Sequence, residues 1–309
     1  VSIAIGATAL VMLLVLAGGG VWSKVNGQDL HGAFLPKYIE AGRALFAEGR
    51  LPLWNPWESC GTPLFAVIQG LVLYLPAPLL FHLLPQYWAL QALYAFNVLV
   101  LAWGTTAYLR AHGIGPWPAV VAVLVTVNGV FTSYSYVGYD HPNFLGSVAW
   151  LPWILLAWER AIERGPRPWL GLTALGVAAL WLAGYPDFPL DFSVLLGVIA
   201  LVSGGAPLAR RVAYAGGAYL LGTALVAVQL VPLAEAVGES FRAQAMDAYA
   251  SPRQLFALFS SGLFRPYVLD RFGVAALLLA LLALWRPTRT RLAWWAALVV
   301  TVCAGDPPL

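Results

Sequence analysis

Apolar residues run along this chain in long blocks separated by short polar turns. A helix crosses the hydrocarbon core of a bilayer in about 17–25 residues. Blocks that reach or approach that length cover 2–22, 88–109, 116–132, 144–158, 168–184, 188–204, 212–234, 272–285 and 292–304. The stretch 64–84 is equally apolar but carries Pro76, Pro78 and Pro85, and proline interrupts a helix interior. Two polar interruptions are long, 23–63 and 235–271. The pattern predicts an all-α polytopic membrane bundle of about nine spans, forming a single transmembrane domain over residues 1–309.

Composition strengthens that reading. The chain is 61% hydrophobic and 10% charged, with mean hydropathy +0.77, whereas a soluble domain carries about 25% charged residues. Charge placement then sets direction, because Lys and Arg collect in short cytoplasmic loops. Arg110, Arg160, Arg164, Arg167, Arg210, Arg211, Arg286, Arg289 and Arg291 fall in brief turns on alternate connections. The acids fall on the other connections, with only Glu159 and Glu163 on the basic side. The alternation holds only if 64–84 does not cross, so that stretch is expected to be interfacial or re-entrant on the outer face. The N-terminus is then cytoplasmic, and both long loops are external.

A net charge of +3 without a basic run gives no reason to expect nucleic-acid binding. Cys60 and Cys303 make neither a metal pattern nor a disulfide framework. The first 22 residues lack a basic leader and a small-residue cleavage site, so they read as a retained span. The chain ends at Asp306-Pro-Pro-Leu soon after a span and is expected to be cut short there.

Within the first loop, residues 33–48 place Phe34, Leu35, Tyr38, Ile39, Leu45 and Phe46 at helical spacing, with Lys37, Glu40, Arg43 and Glu48 on the other face. Pro36 suits a first turn and Gly49 a stop. This predicts an amphipathic helix lying on the membrane surface. A rigid turn through Trp54-Asn55-Pro56-Trp57 follows, its tryptophans suited to the bilayer interface.

The chain has no phosphate-binding glycine loop, zinc-protease motif or nucleophile elbow, and no soluble domain to hold a nucleotide-sugar. Any transferase donor must come from the membrane. Asp29 can serve as general base or help hold a divalent cation; it can equally cap the following helix. His31 can tune Asp29 or bind phosphate, or simply be solvated. Asp140 and His141, beside Tyr134, Tyr136 and Tyr139, suit sugar binding or proton transfer, or a polar cap. Asp187 sits in the Gly-Tyr-Pro-Asp turn, where aspartate also serves local backbone bonding. Asp191 lies one helical turn on. In the second long loop, Arg253 and Arg265, with Arg242 and Arg271, offer paired donors for a lipid phosphate, or are ordinary interfacial cations.

Several of these blocks resemble a known family. Asp29 ahead of Pro36, then Gly49-Arg50-Leu51-Pro52-Leu53-Trp54-Asn55-Pro56 and Gly61-Thr62-Pro63, resembles the first-loop signature of the YfhO-like bacterial membrane proteins. His141-Pro142 leading to Ala149-Trp150-Leu151-Pro152, and Gly184-Tyr185-Pro186-Asp187, resemble two later blocks. That family is similar to the GT-C glycosyltransferases, which take a sugar from a polyprenyl-phosphate carrier at the outer membrane face. The resemblance implies a bacterial cytoplasmic-membrane enzyme and a cell-envelope acceptor. It also implies an essential first-loop acid, by position Asp29, acting in an inverting displacement. The competing expectation is a transporter or flippase of a lipid-linked or hydrophobic solute, since broken apolar segments like 64–84 occur there too.

Overall fold

The computed structural model describes residues 30–58, 60–120, 122–123 and 141–239. These residues are all-helical, with no strand among them and a single isolated bridge between Asn55 and Thr62.

The first-loop helix forms as its spacing predicts. Its central part, α1 (Leu35–Gly42), carries Pro36 in its first turn and is flanked by wider π-helical turns at Leu30–Phe34 and Arg43–Ala47. Leu30, Phe34, Tyr38 and Ala41 make one buried stripe. Gly49, at φ +64°, lets the chain leave the helix in a left-handed conformation. One expectation needs correcting. The charged face is not an open surface, because Lys37 and Glu40 are buried, at 6% and 4% exposure, under the chain that follows.

Helix α2 (Pro76–Leu83) is all that 64–84 contributes beyond a single 3-10 turn at Ile68–Gly70. Its eight residues span ~12 Å, well short of a ~30 Å crossing. It packs on the first-loop helix so closely that a methyl group at Gly42 would sit 2.7 Å from the Pro78 carbonyl.

Helix α3 (Gln86–Ala111) has 26 residues, about 39 Å. It is the one helix among the described residues that alone is long and apolar enough to cross a membrane. The predicted span 144–158 instead divides into α4 (Pro142–Ala149) and α5 (Leu151–Arg164). Pro152 explains the division, since it has no N–H to continue the α4 ladder through Trp150. Helices α6 (Trp169–Leu182) and α7 (Asp187–Val202) match two predicted blocks but have only 14 and 16 residues. The block 212–234 becomes α8 (Leu208–Leu225) and α9 (Ala227–Gly238), bent by 78° at Val226. Together α8 and α9 form at most one further, broken crossing. The predicted blocks at 2–22, 272–285 and 292–304, and most of 116–132, lie outside the described residues.

Small residues set the helix crossings, as they do where packing rather than water drives association. An added Cβ at Gly104 on α3 would lie 2.6 Å from the Trp153 indole nitrogen on α5. One at Gly222 on α8 would lie 2.5 Å from the Ala174 carbonyl of α6. Two large apolar cores result, beside a small cluster of Ala41, Leu64, Phe65 and Val72. One joins the first-loop helix, α2, α3 and α4; the other joins the end of α3 to α5 through α8.

Candidate functional site

The Trp-Asn-Pro turn builds itself around Asn55, which is fully buried. Its backbone exchanges hydrogen bonds with Thr62 at 2.8 and 2.9 Å, and its side-chain Oδ1 accepts the Trp57 N–H at 3.1 Å. Gly61, at φ +117°, lies against the Trp54 indole, where a Cβ would fall 2.5 Å from the ring. The Asn, Trp and Gly of this motif therefore close the turn.

Ion pairs fasten the turn to the helix. Lys37 donates to Glu58 Oε1 at 2.7 Å and to the Ala33 carbonyl at 3.1 Å. Glu58 Oε2 accepts from Asn55 and Thr62, each at 3.4 Å. Buried Glu40 accepts from both Arg43 and Arg50 at 2.8 Å, and those arginines also hold Glu48. Buried charges persist only when paired and hydrogen-bonded, which is why Lys37 and Glu40 can lie under the loop.

Above this scaffold, stretches far apart in sequence meet. The Phe34 ring packs edge-on against the His141 imidazole, centroids 4.9 Å apart, and His141 meets Tyr185 at 6.4 Å. Phe144 packs on both Tyr185 and Phe188, at 5.5 and 4.7 Å. Asn143, fully buried, donates to the Gly184 carbonyl at 3.0 Å. Gly184 has φ +89°, and a Cβ there would lie 2.6 Å from Leu71 and 2.9 Å from the Ile68 carbonyl. The first-loop helix, the His141-Pro142 block and the Gly-Tyr-Pro-Asp turn thus share one corner of the molecule.

Of the site residues read from sequence, His141 is part of this aromatic seam, half-buried between Phe34 and Tyr185. His31 is exposed, on the turn that precedes Phe34. Asp187 opens α7; its side chain lies outside the described residues, as do Asp29, Asp140, Arg253 and Arg265. Asp29 adjoins Leu30 in the chain and Asp140 adjoins His141. Among the described residues no three His, Cys, Asp or Glu side chains lie close enough together to hold a metal ion.

Three features were not singled out from sequence. Asn143 and Glu58 are two of them. The third is a buried network in which Tyr74 donates to Asn97 Oδ1 at 2.7 Å and accepts the Trp150 indole N–H at 3.3 Å. Burial pushes the Tyr74 phenol well above the usual tyrosine range, so it stays a donor, although the Trp150 bond opposes that shift. The available signal was a polar residue, Asn97, in the middle of the apolar block 88–109.

No family model, curated protein or solved structure matches this chain.

Proposed function

We propose that this chain is a glycosyltransferase-like membrane protein that moves a sugar from a polyprenyl-phosphate carrier to a cell-envelope acceptor at the outer face. The observation that carries the reading is the meeting of Phe34, His141 and Tyr185. It draws together three stretches of chain, each flanked in sequence by an acid: Asp29, Asp140 and Asp187. Aromatic rings and carboxylates are the groups that hold and activate sugars, and the sequence offers no site for a nucleotide donor.

In the proposed reaction the Asp29 carboxylate takes the proton of an acceptor hydroxyl. The freed oxygen bonds to the anomeric carbon from the face opposite the carrier. The bond between that carbon and the carrier phosphate oxygen breaks, and the polyprenyl phosphate leaves with the electron pair. The anomeric centre inverts. His31, Asp140, His141 and Asp187 are assigned to the sugar and acceptor, and Arg253 and Arg265 to the carrier phosphate. The aromatic seam then orients the sugar ring, while the ion-paired turn keeps the first-loop helix in place. Nine spans with a cytoplasmic N-terminus in a bacterial membrane complete the proposal.

One observation favours the transporter reading, the 78° break between α8 and α9, since discontinuous helices form solute sites at the bilayer midplane. Against it, α6 carries no ionisable side chain, the Arg and Glu residues of α3, α8 and α9 lie in their end turns, and the two acids of α7, Asp187 and Asp191, lie in its first two turns. The deciding experiment is Asp29→Asn in the membrane-inserted chain, assayed for transfer from radiolabelled polyprenyl-phosphate sugars. Loss of transfer with normal insertion is expected. Undiminished transfer removes Asp29 from the mechanism, and carrier movement across vesicles without transfer replaces the enzyme by a flippase.

A further inference from the structure

At the C-terminal end of α3, far along the helix from the aromatic seam, a second tyrosine-centred group joins α3 to α5. The imidazole of His112, which caps α3, places Nδ1 2.9 Å from the Tyr108 carbonyl oxygen. A carbonyl has no proton to give, so Nδ1 carries the hydrogen. Nε2 then faces Glu159 Oε2 at 3.1 Å, while Glu159 Oε1 accepts the Tyr108 hydroxyl at 2.9 Å. In a neutral imidazole with hydrogen on Nδ1, Nε2 is a bare lone pair. An ionised carboxylate facing it would set two acceptors against each other at hydrogen-bond distance. The geometry closes only with a proton between them.

We infer that His112 and Glu159 form a proton-binding site, one proton held between Nε2 and Oε2, that latches the end of α3 to α5 and releases it as pH rises. The proton comes from solvent and returns to it; side-chain exposures of 34% for His112 and 21% for Glu159 leave a path. The end of a helix favours a cation at this place. The groups acting on Glu159 are His112 and Tyr108 from α3, and Glu163 and Arg160 from α5 itself. Helix α6, packed on the other side of α5, carries no ionisable side chain, and Arg210 and Arg211 of α8 make no ion pair with Glu159. Burial, the largest influence, holds the Glu159 carboxyl above its ordinary range despite His112, in keeping with a group that retains a proton.

The sign follows from linkage. The folded Glu159 carboxyl holds its proton to higher pH than the unfolded chain does, so the latch contributes fully at low pH and is lost as pH rises. The test is the thermal midpoint of the full chain in nanodiscs between about pH 6 and about pH 9, for the wild type, His112→Gln and Glu159→Gln. The side-chain amide introduced by Glu159→Gln can donate to Nε2 without an added proton, so this variant is expected to match the wild type at the acid end. Over the same range the wild type loses about 2–4 °C relative to it. His112→Gln should also flatten the profile. Parallel profiles for all three proteins overturn the site. Should the variants fail to fold, calorimetry of the wild type in buffers of different ionisation enthalpy decides: about one proton released on unfolding near pH 7.5 supports the site, and none refutes it.

Discussion

Two tyrosines tie α3 to its neighbours, and they do it with different chemistry. Tyr74 meets Asn97 within α3 and Trp150 at the α4–α5 break, through neutral donors and acceptors buried in the first core. Tyr108, near the C-terminal end of α3, meets Glu159 on α5 beside His112, through groups that titrate and are partly open to water. The first arrangement holds its geometry whatever the pH, which suits the end of the molecule where the aromatic seam assembles. The second exchanges constancy for responsiveness. A tyrosine hydroxyl is a fixed strut in one place and part of a proton site in the other, and the difference lies wholly in its partners and their burial.

The largest effect expected from breaking this contrast comes from Asn97→Ala. Asn97 is buried at 1% exposure, and truncation leaves the Tyr74 hydroxyl without its acceptor and opens a cavity. About 2–4 kcal/mol of stability should be lost, equally at acid and alkaline pH, as read by denaturation in detergent. Tyr74→Phe comes next, at about 1–2 kcal/mol. It strands the Asn97 carbonyl and the Trp150 indole N–H but creates little space. Its cost should also be flat with pH, because none of the three side chains titrates in the working range. A Tyr74→Phe penalty that varied with pH would break the comparison.

Some of this was legible in the sequence, and some could not be. Helical spacing from Phe34 to Phe46, Pro36 as an opener and Gly49 as a stop are local signals, and the helix formed where they put it. Periodicity could not show that Lys37 and Glu40 would be buried, because their partners Glu58 and Arg50 lie 21 and 10 residues away. The block 144–158 looked continuous by apolarity, yet Pro152 divided it. The bend at Val226 left no comparable mark, since the one proline nearby, Pro232, lies inside α9 rather than at the break. The meeting of Phe34, His141 and Tyr185 is a long-range event that spacing does not encode. The proton site did leave a trace. Glu159 and Glu163 were the two acids out of place on the basic side of the charge alternation, and Glu159 is the one that faces His112.

The smallest effect tests which of those two misplaced acids matters. Arg160 donates to Glu163 at 2.7 Å in an i,i+3 pair whose carboxylate is 57% exposed. A pair so open is worth at most about 0.5 kcal/mol, so Arg160→Ala should barely change stability at any single pH. Its positive charge does act on Glu159, however, and favours the ionised carboxylate. Removing it lets Glu159 hold its proton more firmly, so the fall in thermal midpoint should begin at slightly higher pH while keeping its full height. Glu159→Gln removes the step and Arg160→Ala displaces it. If Arg160→Ala instead flattened the profile, the pH response would belong to the exposed Arg160–Glu163 pair, and the contrast between the two tyrosines would reduce to one of burial alone.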